Sequence, residues 1–302
     1  MKVGIVGIGK LGSIHLRIYK ETKEIEKIYI VDTDIDKLSL YSELPSFSDY
    51  RQLLGKVDLV SIATPTTSHY EIAKFFLENK VPTFVEKPIT QTLSEAQKLI
   101  EVSKKYKTLL FVGHVERYNN AYLAIKKTIK NPLFIECHRL SPYPNRSLDI
   151  SVVLDLMIHD LDIILDLVKD EIKKVDAKGV KVLSSTHDIA NARITFKKGC
   201  VANITSSRIS AKKERKIRIF LHNRYISLDY AEQKAEMYQK VGKEIKSEFL
   251  TTNKEEPLKK EIVDFVQLVQ RKRFEIKDAI KAKDALALAL KIQKIISRDD
   301  RG

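Results

Sequence analysis

Several things are scarce in this chain, and each scarcity excludes something. There are two cysteines in 302 residues, Cys137 and Cys200, far apart. That leaves no disulfide framework and no clustered-thiol metal site, and both read as small, half-buried apolar residues. No apolar run approaches the ~18 residues that a membrane span needs. Near the start, Lys10 interrupts the apolar run that follows Lys2, and no small-residue cleavage site comes after it. The segment reads as a first strand and not as a signal peptide, and a cytoplasmic protein is expected. Neither an internal repeat nor a low-complexity segment is present.

Charge is plentiful but dispersed. Lys and Arg number 54 against 40 Asp and Glu, a net charge of +14. Such an excess favours anionic partners. The lysine pairs (Lys104–Lys105, Lys126–Lys127, Lys212–Lys213) are scattered, however, with no basic arm, aromatic-interleaved stripe or zinc-finger spacing. No nucleic-acid partner and no membrane partner are expected. Abundant Lys, Glu and Ile with few Gln suit a heat-adapted surface at least as well as a ligand.

At ~150 residues per domain the length suggests two domains. Up to about residue 118, short apolar runs alternate with helical stretches. The runs are Val3–Val6, Lys27–Val31, Asp58–Ala63, Pro82–Val85 and Leu109–Val112. Helical stretches run to about Lys20, from His69 to Asn79 and from Ser94 to Tyr106. This is the pattern of βαβ units and a parallel sheet covered on both faces. After Tyr118 the pattern changes. A helix at Asn120–Lys130, a strand at Leu133–Leu140 and a Pro-rich loop precede a long helix at Val152–Val168. Successive strands then run from Glu171 to about Lys240, and helices at about Pro257–Lys272 and Lys277–Ser297 close the chain. The expected architecture is α/β: a Rossmann dinucleotide-binding domain over 1–118 and an α+β domain with a mostly antiparallel open sheet over 119–302. The last helix is a candidate to pack back on the first domain.

The segment VGIVGIGKLG places Gly7, Gly9 and Gly12 in GxGxxG spacing, between a predicted strand and a predicted helix. Asp32 follows 20 residues after Gly12, at the end of the second strand, as a dinucleotide site requires. Gly7 permits the tight turn, Gly9 lets the backbone approach a pyrophosphate at the helix N-terminus, and Gly12 allows close helix–strand packing. Asp32 would accept from the ribose hydroxyls and repel a 2′-phosphate. Thr33 and Asp34 follow it with no Arg, so NAD is favoured over NADP.

Two further segments end strands on the side where ligands of open α/β sheets bind. One is ATPTTSH, with Thr64, Pro65 and His69; the other is Glu86-Lys87-Pro88. His69 reads either as a helix-start residue facing water or as a contact to the cofactor. Lys87, at a strand end before Pro, reads either as a solvated lysine or as a functional cation. The helix VVLDLMIHDLDIILDLV carries Asp155, His159, Asp162 and Asp166 at i, i+4, i+7 and i+11, hence on one face. Apart from Asp160, the remaining positions are apolar. The stripe is open to three readings: a cleft-facing site, a solvent face, or a metal chelate.

Taken together, GIGKLG, Asp32, ATPTTSH, the Glu86–Pro88 tripeptide and the D-x-x-x-H-x-x-D helix resemble the Gfo/Idh/MocA oxidoreductases over essentially the whole chain. The resemblance implies Lys87, Asp155 and His159 as catalytic residues and a cis Lys87–Pro88 bond. It implies Gly7, Gly9, Lys10, Leu11, Gly12, Asp32, Thr64, Pro65, His69, Glu86 and Lys87 around NAD. Hydride would pass between a secondary sugar hydroxyl and the nicotinamide, with His159 as general base, Lys87 stabilising alkoxide charge and Asp155 orienting. GHVERYN, HRLSPYPNR and DLMIHDLDI resemble a subgroup similar to UDP-N-acetylglucosamine 3-dehydrogenases. That implies a nucleotide-sugar substrate contacted by Glu116, Arg117, Asn119, Arg146, Asp155 and His159, with Arg117, Arg139, Arg146 and Arg208 as candidate cations for a diphosphate. A homodimer or homotetramer through the C-terminal sheet is also implied. The chain departs from many members in SLDISVVL, where a Gly-rich segment is common, and in Met157, often Gly; both touch the substrate side. The other readings are a free-sugar or inositol dehydrogenase, a redox-neutral NAD-dependent hydrolase on the same scaffold, and a non-catalytic NAD sensor.

Overall fold

A computed structural model describes residues 1–143 and 150–299. Two compact units are present. One is Met1–His114 with Leu258–Lys283; the other is Val115–Pro257 with the chain from Asp284 onward. Among the described residues, no helix is long and apolar enough to cross a membrane.

In the first unit, β1 (Lys2–Val6), β2 (Lys27–Val31), β3 (Ser46–Phe47), β4 (Leu59–Ile62), β5 (Thr83–Glu86) and β6 (Leu110–Gly113) form one sheet. Its order is β3-β2-β1-β4-β5-β6, and every pairing is parallel. This is the strand order of a dinucleotide-binding Rossmann sheet. Helices α1 (Lys10–Lys20), α2 (Ile35–Ser39), α3 (Thr66–Glu78) and α4 (Leu93–Tyr106) connect the strands. Burial of β4, β5 and β6 along their whole length explains the unbroken apolar runs: both faces are covered. The two-residue β3 is too short to leave a periodic signal and was not expected. Helix α7 (Pro257–Gln270) belongs to this unit and sets Phe265 against Phe84 and Phe111, with ring centroids 5.6 and 5.5 Å apart.

The second unit begins with α5, which ends at Lys126 rather than Lys130 (Asn120–Lys126). Its sheet holds β7 (Phe134–Leu140), β8 (Ile172–Val180), β9 (Ile189–Phe196), β10 (Val201–Ser207), β11 (Glu214–Leu221), β12 (Arg224–Asp229), β13 (Lys234–Val241) and β14 (Glu244–Thr251). The order is β14-β13-β12-β11-β7-β10-β9-β8, antiparallel except for the β7–β10 pair. Strict alternation of buried and half-buried residues along β7 shows one covered and one open face. Ile135 and Cys137 of β7, Ala202 and Ile204 of β10 and Ile217 and Ile219 of β11 lie on the covered face. Against them pack Leu161, Ile163, Ile164 and Leu167 of helix α6 (Ile158–Val168) and Ala285, Leu288, Ala289 and Ile292 of α8 (Lys277–Asp299).

One expected helix is not regular. Residues Val153–Met157 form a π-helical turn that runs into α6, so Val152–Val168 is not a single α-helix. One surplus residue is accommodated there, a feature that recurs at functional sites.

Candidate active site

The first unit carries a cradle with three parts. Gly7 has φ of +89°, a left-handed conformation that side chains other than glycine's rarely adopt. A Cβ on Gly12 would lie 1.8 Å from the Gly7 carbonyl oxygen, so α1 approaches the turn as closely as backbone allows. A Cβ on Gly9, by contrast, would meet nothing within 4 Å. Gly9 caps α1 with no side-chain hydrogen bond, and the first turn holds no acidic residue. Backbone N–H groups at that helix end therefore face open space, the geometry that receives an anion.

Asp32 is half-buried at the end of β2. Its carboxylate accepts from the Ile8 N–H at 2.8 Å and from the Asp34 N–H at 3.0 Å, while the Gly7 N–H donates to Val31 at 2.7 Å. The acid thus ties the glycine turn to the strand beside it. Lys37 lies 4.0 Å from Asp32 and 3.2 Å from Asp34. Open space at Gly9, uncapped amides and a positioned carboxylate fit a dinucleotide: pyrophosphate on the amides, ribose hydroxyls on Asp32.

The Glu86-Lys87-Pro88 segment is held from below. The Lys87–Pro88 bond is cis, as expected. Glu86 is only 6% exposed; it faces His15 Nε2 at 2.9 Å and accepts from the Lys87 N–H at 3.2 Å. The other ring nitrogen of His15 sits 2.8 Å from Ser61 Oγ. Glu86, expected beside the cofactor, is therefore a buried support for the backbone of Lys87. His15 was missed in the sequence; it lies three residues past Gly12 on the face of α1 that carries Leu16 and Tyr19 into the core. His69 does not face water. It is 1% exposed, with its ring nitrogens 2.9 Å from the carbonyl oxygens of Pro88 and Thr64. Burial pushes its pKa down, against the two carbonyls that favour the cation. Thr64 is half-buried and accepts from Ser68 Oγ at 2.8 Å, Pro65 and Lys10 are exposed, and Leu11 and Lys87 are half-buried.

In the second unit the polar stripe divides. Asp155, in the π turn, and His159 are half-buried, whereas Asp160, Asp162 and Asp166 are buried. The stripe is therefore no solvent face. Asp162 receives a fork from Arg117, whose Nε donates at 2.7 Å and whose Nη2 donates to the second oxygen. Asp166 accepts from Tyr122 at 2.5 Å and lies 2.7 Å from Lys126. Asp160 receives Nε and Nη2 of Arg139, each at 2.9 Å, and Glu116 receives Nη1 of Arg139 at 2.8 Å. Asn119 caps α5 through the Ala121 N–H and donates to the Tyr230 carbonyl at 2.9 Å. Glu116, Arg117 and Asn119, expected to line a substrate pocket, thus bind α5 and α6 to the sheet. A carboxylate 45 residues away cannot be read from the polar run after β6. Arg208, another candidate cation, is fully buried against Asp188 at 2.9 Å. Arg146 lies outside the described residues.

The loop that holds Arg208 also holds the start of the polar helix. Val152 N–H donates to the His187 carbonyl at 3.1 Å, and Arg208 Nη1 donates to the Ile150 carbonyl at 2.9 Å. Among the described residues, no group of three or more His, Cys, Asp or Glu is placed to hold a metal.

Comparison with known proteins places this geometry. Residues 1–114 match the profile "Oxidoreductase family, NAD-binding Rossmann fold", and residues 128–226 match "GFO/IDH/MocA C-terminal domain". The UDP-N-acetylglucosamine 3-dehydrogenase of Acidithiobacillus ferrooxidans is 32% identical over 97% of this chain and 96% of its own. A crystal structure of that enzyme superposes with a TM-score of 0.91, covering 98% of this chain and 97% of that one. Myo-inositol 2-dehydrogenase of Thermotoga maritima is 26% identical over 69% of each chain. The scyllo-inositol dehydrogenase of Lactobacillus casei, solved with NAD(H) and scyllo-inositol, shares the fold at 19% identity and a TM-score of 0.83, covering 99% of this chain and 97% of that one.

Proposed function

The chain belongs to the Gfo/Idh/MocA family of oxidoreductases, and on that premise we propose that it oxidises or reduces the 3-position of UDP-N-acetylglucosamine with NAD as the hydride partner. The observation that carries the substrate reading is a similarity to the Acidithiobacillus ferrooxidans enzyme that runs through nearly the full length of both chains. NAD is preferred over NADP because Asp32 presents a fixed negative charge at the end of β2, where a 2′-phosphate would be repelled.

When bound, NAD⁺ supplies the acceptor for the hydride leaving the carbinol carbon. The chain supplies the rest. His159 takes the hydroxyl proton as the C–H electrons leave, imidazole being the side chain most often used as a general base. Lys87 donates to the oxygen as alkoxide charge develops, its main chain steadied by Glu86. Asp155 orients the hydroxyl or the His159 ring. Open space at Gly9 and the uncapped amides of α1 receive the pyrophosphate. We also place the homo-oligomeric contact on the open face of the second sheet. There Phe134, Phe220, Tyr225 and Tyr238 form a half-buried aromatic ladder with successive centroids 5.5, 4.9 and 5.8 Å apart.

The test follows NAD reduction by absorbance with UDP-N-acetylglucosamine, myo-inositol and free hexoses, with Lys87→Ala as control. Turnover of UDP-N-acetylglucosamine, lost in the variant, is the expected result. Turnover with free sugars or inositol alone would overturn the nucleotide-sugar reading, and turnover with myo-inositol would replace it with the activity that the Thermotoga maritima relative is named for.

A further inference from the structure

A diphosphate-bearing substrate needs cations, and three arginines read from the sequence for that task are already committed. Arg117 is forked on Asp162, Arg139 spans Asp160 and Glu116, and Arg208 is bound to Asp188, the Ile150 carbonyl and Ser184. Each is nearly or fully buried, and a ligand could recruit one only by breaking a buried ion pair.

Arg215 is different. It is the second residue of β11 and the register partner of Arg139 on β7. Side chains alternate along a strand, so Arg215 shares a face with Ile217 and Ile219, both fully buried, and its neighbour across the ladder is the arginine that holds Asp160. Its main chain is fixed: the Arg215 carbonyl accepts from the Tyr230 N–H at 2.9 Å. Yet its half-buried guanidinium has no ion pair within 4.0 Å and no side-chain hydrogen bond among the described residues. Burial, then the neighbouring Arg139 charge, push its pKa down, while Glu116, Asp160 and Asp155 pull it up from a distance. A cation on the helix-covered face of a sheet, beside the arginine that holds Asp160 and without a bonded anion, is expensive unless something supplies the missing acceptors.

We propose that Arg215 is the anion-recognising residue of the substrate site, donating a guanidinium fork to the phosphate oxygens of a nucleotide sugar. The proposal rests on the nucleotide-sugar reading above and deepens it. Five donors in a planar fork match phosphate oxygens better than any other side chain does. The placement suits the substrate too. The phosphate on C1 and the hydroxyl on C3 belong to one ring, two carbons apart, so the cation has to stand toward the end of α6 that carries His159, the end at which its register partner Arg139 holds Asp160. Arg215 then distinguishes nucleotide sugars from inositol and free hexoses, which carry no such anion.

The rival role is charge balance. Glu116 and Asp160 present two negative charges to one Arg139, and Arg215 could offset the surplus from a distance. The two roles separate experimentally. UDP is titrated calorimetrically into the full-length NAD-loaded protein as wild type, Arg215→Met and Arg215→Lys, alongside KM and kcat for UDP-N-acetylglucosamine. The expected result for Arg215→Met is a weakening of UDP binding by about 10- to 100-fold, matched in KM with a smaller change in kcat, as loss of a charged hydrogen-bonded contact implies. Arg215→Lys keeps the charge and loses the fork, so it recovers part of that loss. It also serves as the decisive variant should Arg215→Met not fold. UDP affinity within twofold of wild type in Arg215→Met, or in Arg215→Lys where Arg215→Met does not fold, would assign charge balance and overturn the proposal, even with a lowered melting temperature. So would a wild-type protein that binds no UDP. Arg215-dependent UDP binding without turnover of UDP-N-acetylglucosamine would uphold the anion site and reject the 3-dehydrogenase reading instead.

Discussion

Replacing Asp188 by Asn should cost the second unit about 4 kcal/mol, within the range of about 3–5 kcal/mol for breaking a buried ion pair. One Asp188 oxygen accepts from Arg208 Nε at 2.9 Å and Ser184 Oγ at 2.6 Å. The other accepts from the N–H groups of Val182, Leu183 and Ser184 at 2.8, 2.6 and 3.0 Å. Asparagine offers a single acceptor oxygen. Its NH₂ must face either the guanidinium and hydroxyl or the three amides, and Arg208 loses its counter-charge in both orientations. At roughly 2–4 °C per kcal/mol for a unit of this size, the thermal transition should fall by about 8–16 °C. Turnover should fall as well, since the same loop supplies the His187 carbonyl that holds Val152 and engages the Ile150 carbonyl. The pH dependence has a definite sign. Burial alone would push the Asp188 carboxyl up, but the Ser184 hydroxyl and the three amides outweigh it and hold it far below the ordinary range. A depressed native pKa contributes stability above the unfolded value of about 3.9 that is lost as pH falls through the native value. The gap between wild type and variant should therefore stay constant from neutral pH to about 5 and narrow below about 4. Denaturant melts across pH 2.5–8 measure it. A gap below about 1 kcal/mol at pH 7, or one that widens in acid, would refute the reasoning.

Other outcomes follow from the same contacts. Asp32→Ala should raise KM for NAD by about 10- to 100-fold, the worth of charged hydrogen bonds, and level the preference over NADP; a preserved preference would place discrimination elsewhere. Gly12→Ala drives a methyl to 1.8 Å from the Gly7 oxygen and should abolish NAD binding in a fluorescence titration. His15→Leu strands the Glu86 carboxylate and should cost about 1–3 kcal/mol in a urea melt, whereas a loss under about 0.5 kcal/mol would mean the pair contributes little. Both thiols are buried, which pushes Cys200 up to about 11 and Cys137 well above its ordinary value. A disulfide reagent at pH 8 should therefore find no reactive thiol in the native protein and two after denaturation.

What was legible in the sequence was what depends on fixed spacing. The glycines, Asp32 and the apolar runs of the parallel sheet are local patterns, and the structure places them as the spacing implies. In the second sheet, the expected run of strands reaches about Lys240 and so takes in β13, but not β14, because Glu244–Thr251 lies at the sheet's edge and alternates few apolar residues against Lys and Glu. Polar residues whose partner is distant in sequence show that partner only in the fold. Arg117 and Glu116 look like pocket residues until Asp162 and Arg139 are brought to them, and His69 looks like a surface residue until Pro88 returns beside it. β11 carries one further signal. In RKIRIFL, strand alternation sets Arg215 on the same face as Ile217 and Ile219, and a cation in an apolar row asks for an explanation.

The π turn at Val153–Met157 gives the polar helix a phase. An α-helix advances about 100° per residue, so one surplus residue rotates everything before it relative to everything after it. Asp155 lies inside the turn and His159 just beyond it. Deleting one residue there would restore a regular helix with nearly the same composition and swing Asp155 about a quarter-turn away from the side on which His159 stands. Substitutions change what this helix presents, but insertions and deletions change where it presents it. The length of the stretch from Ser151 to Ile158 is therefore under tighter constraint than the identity of its apolar residues.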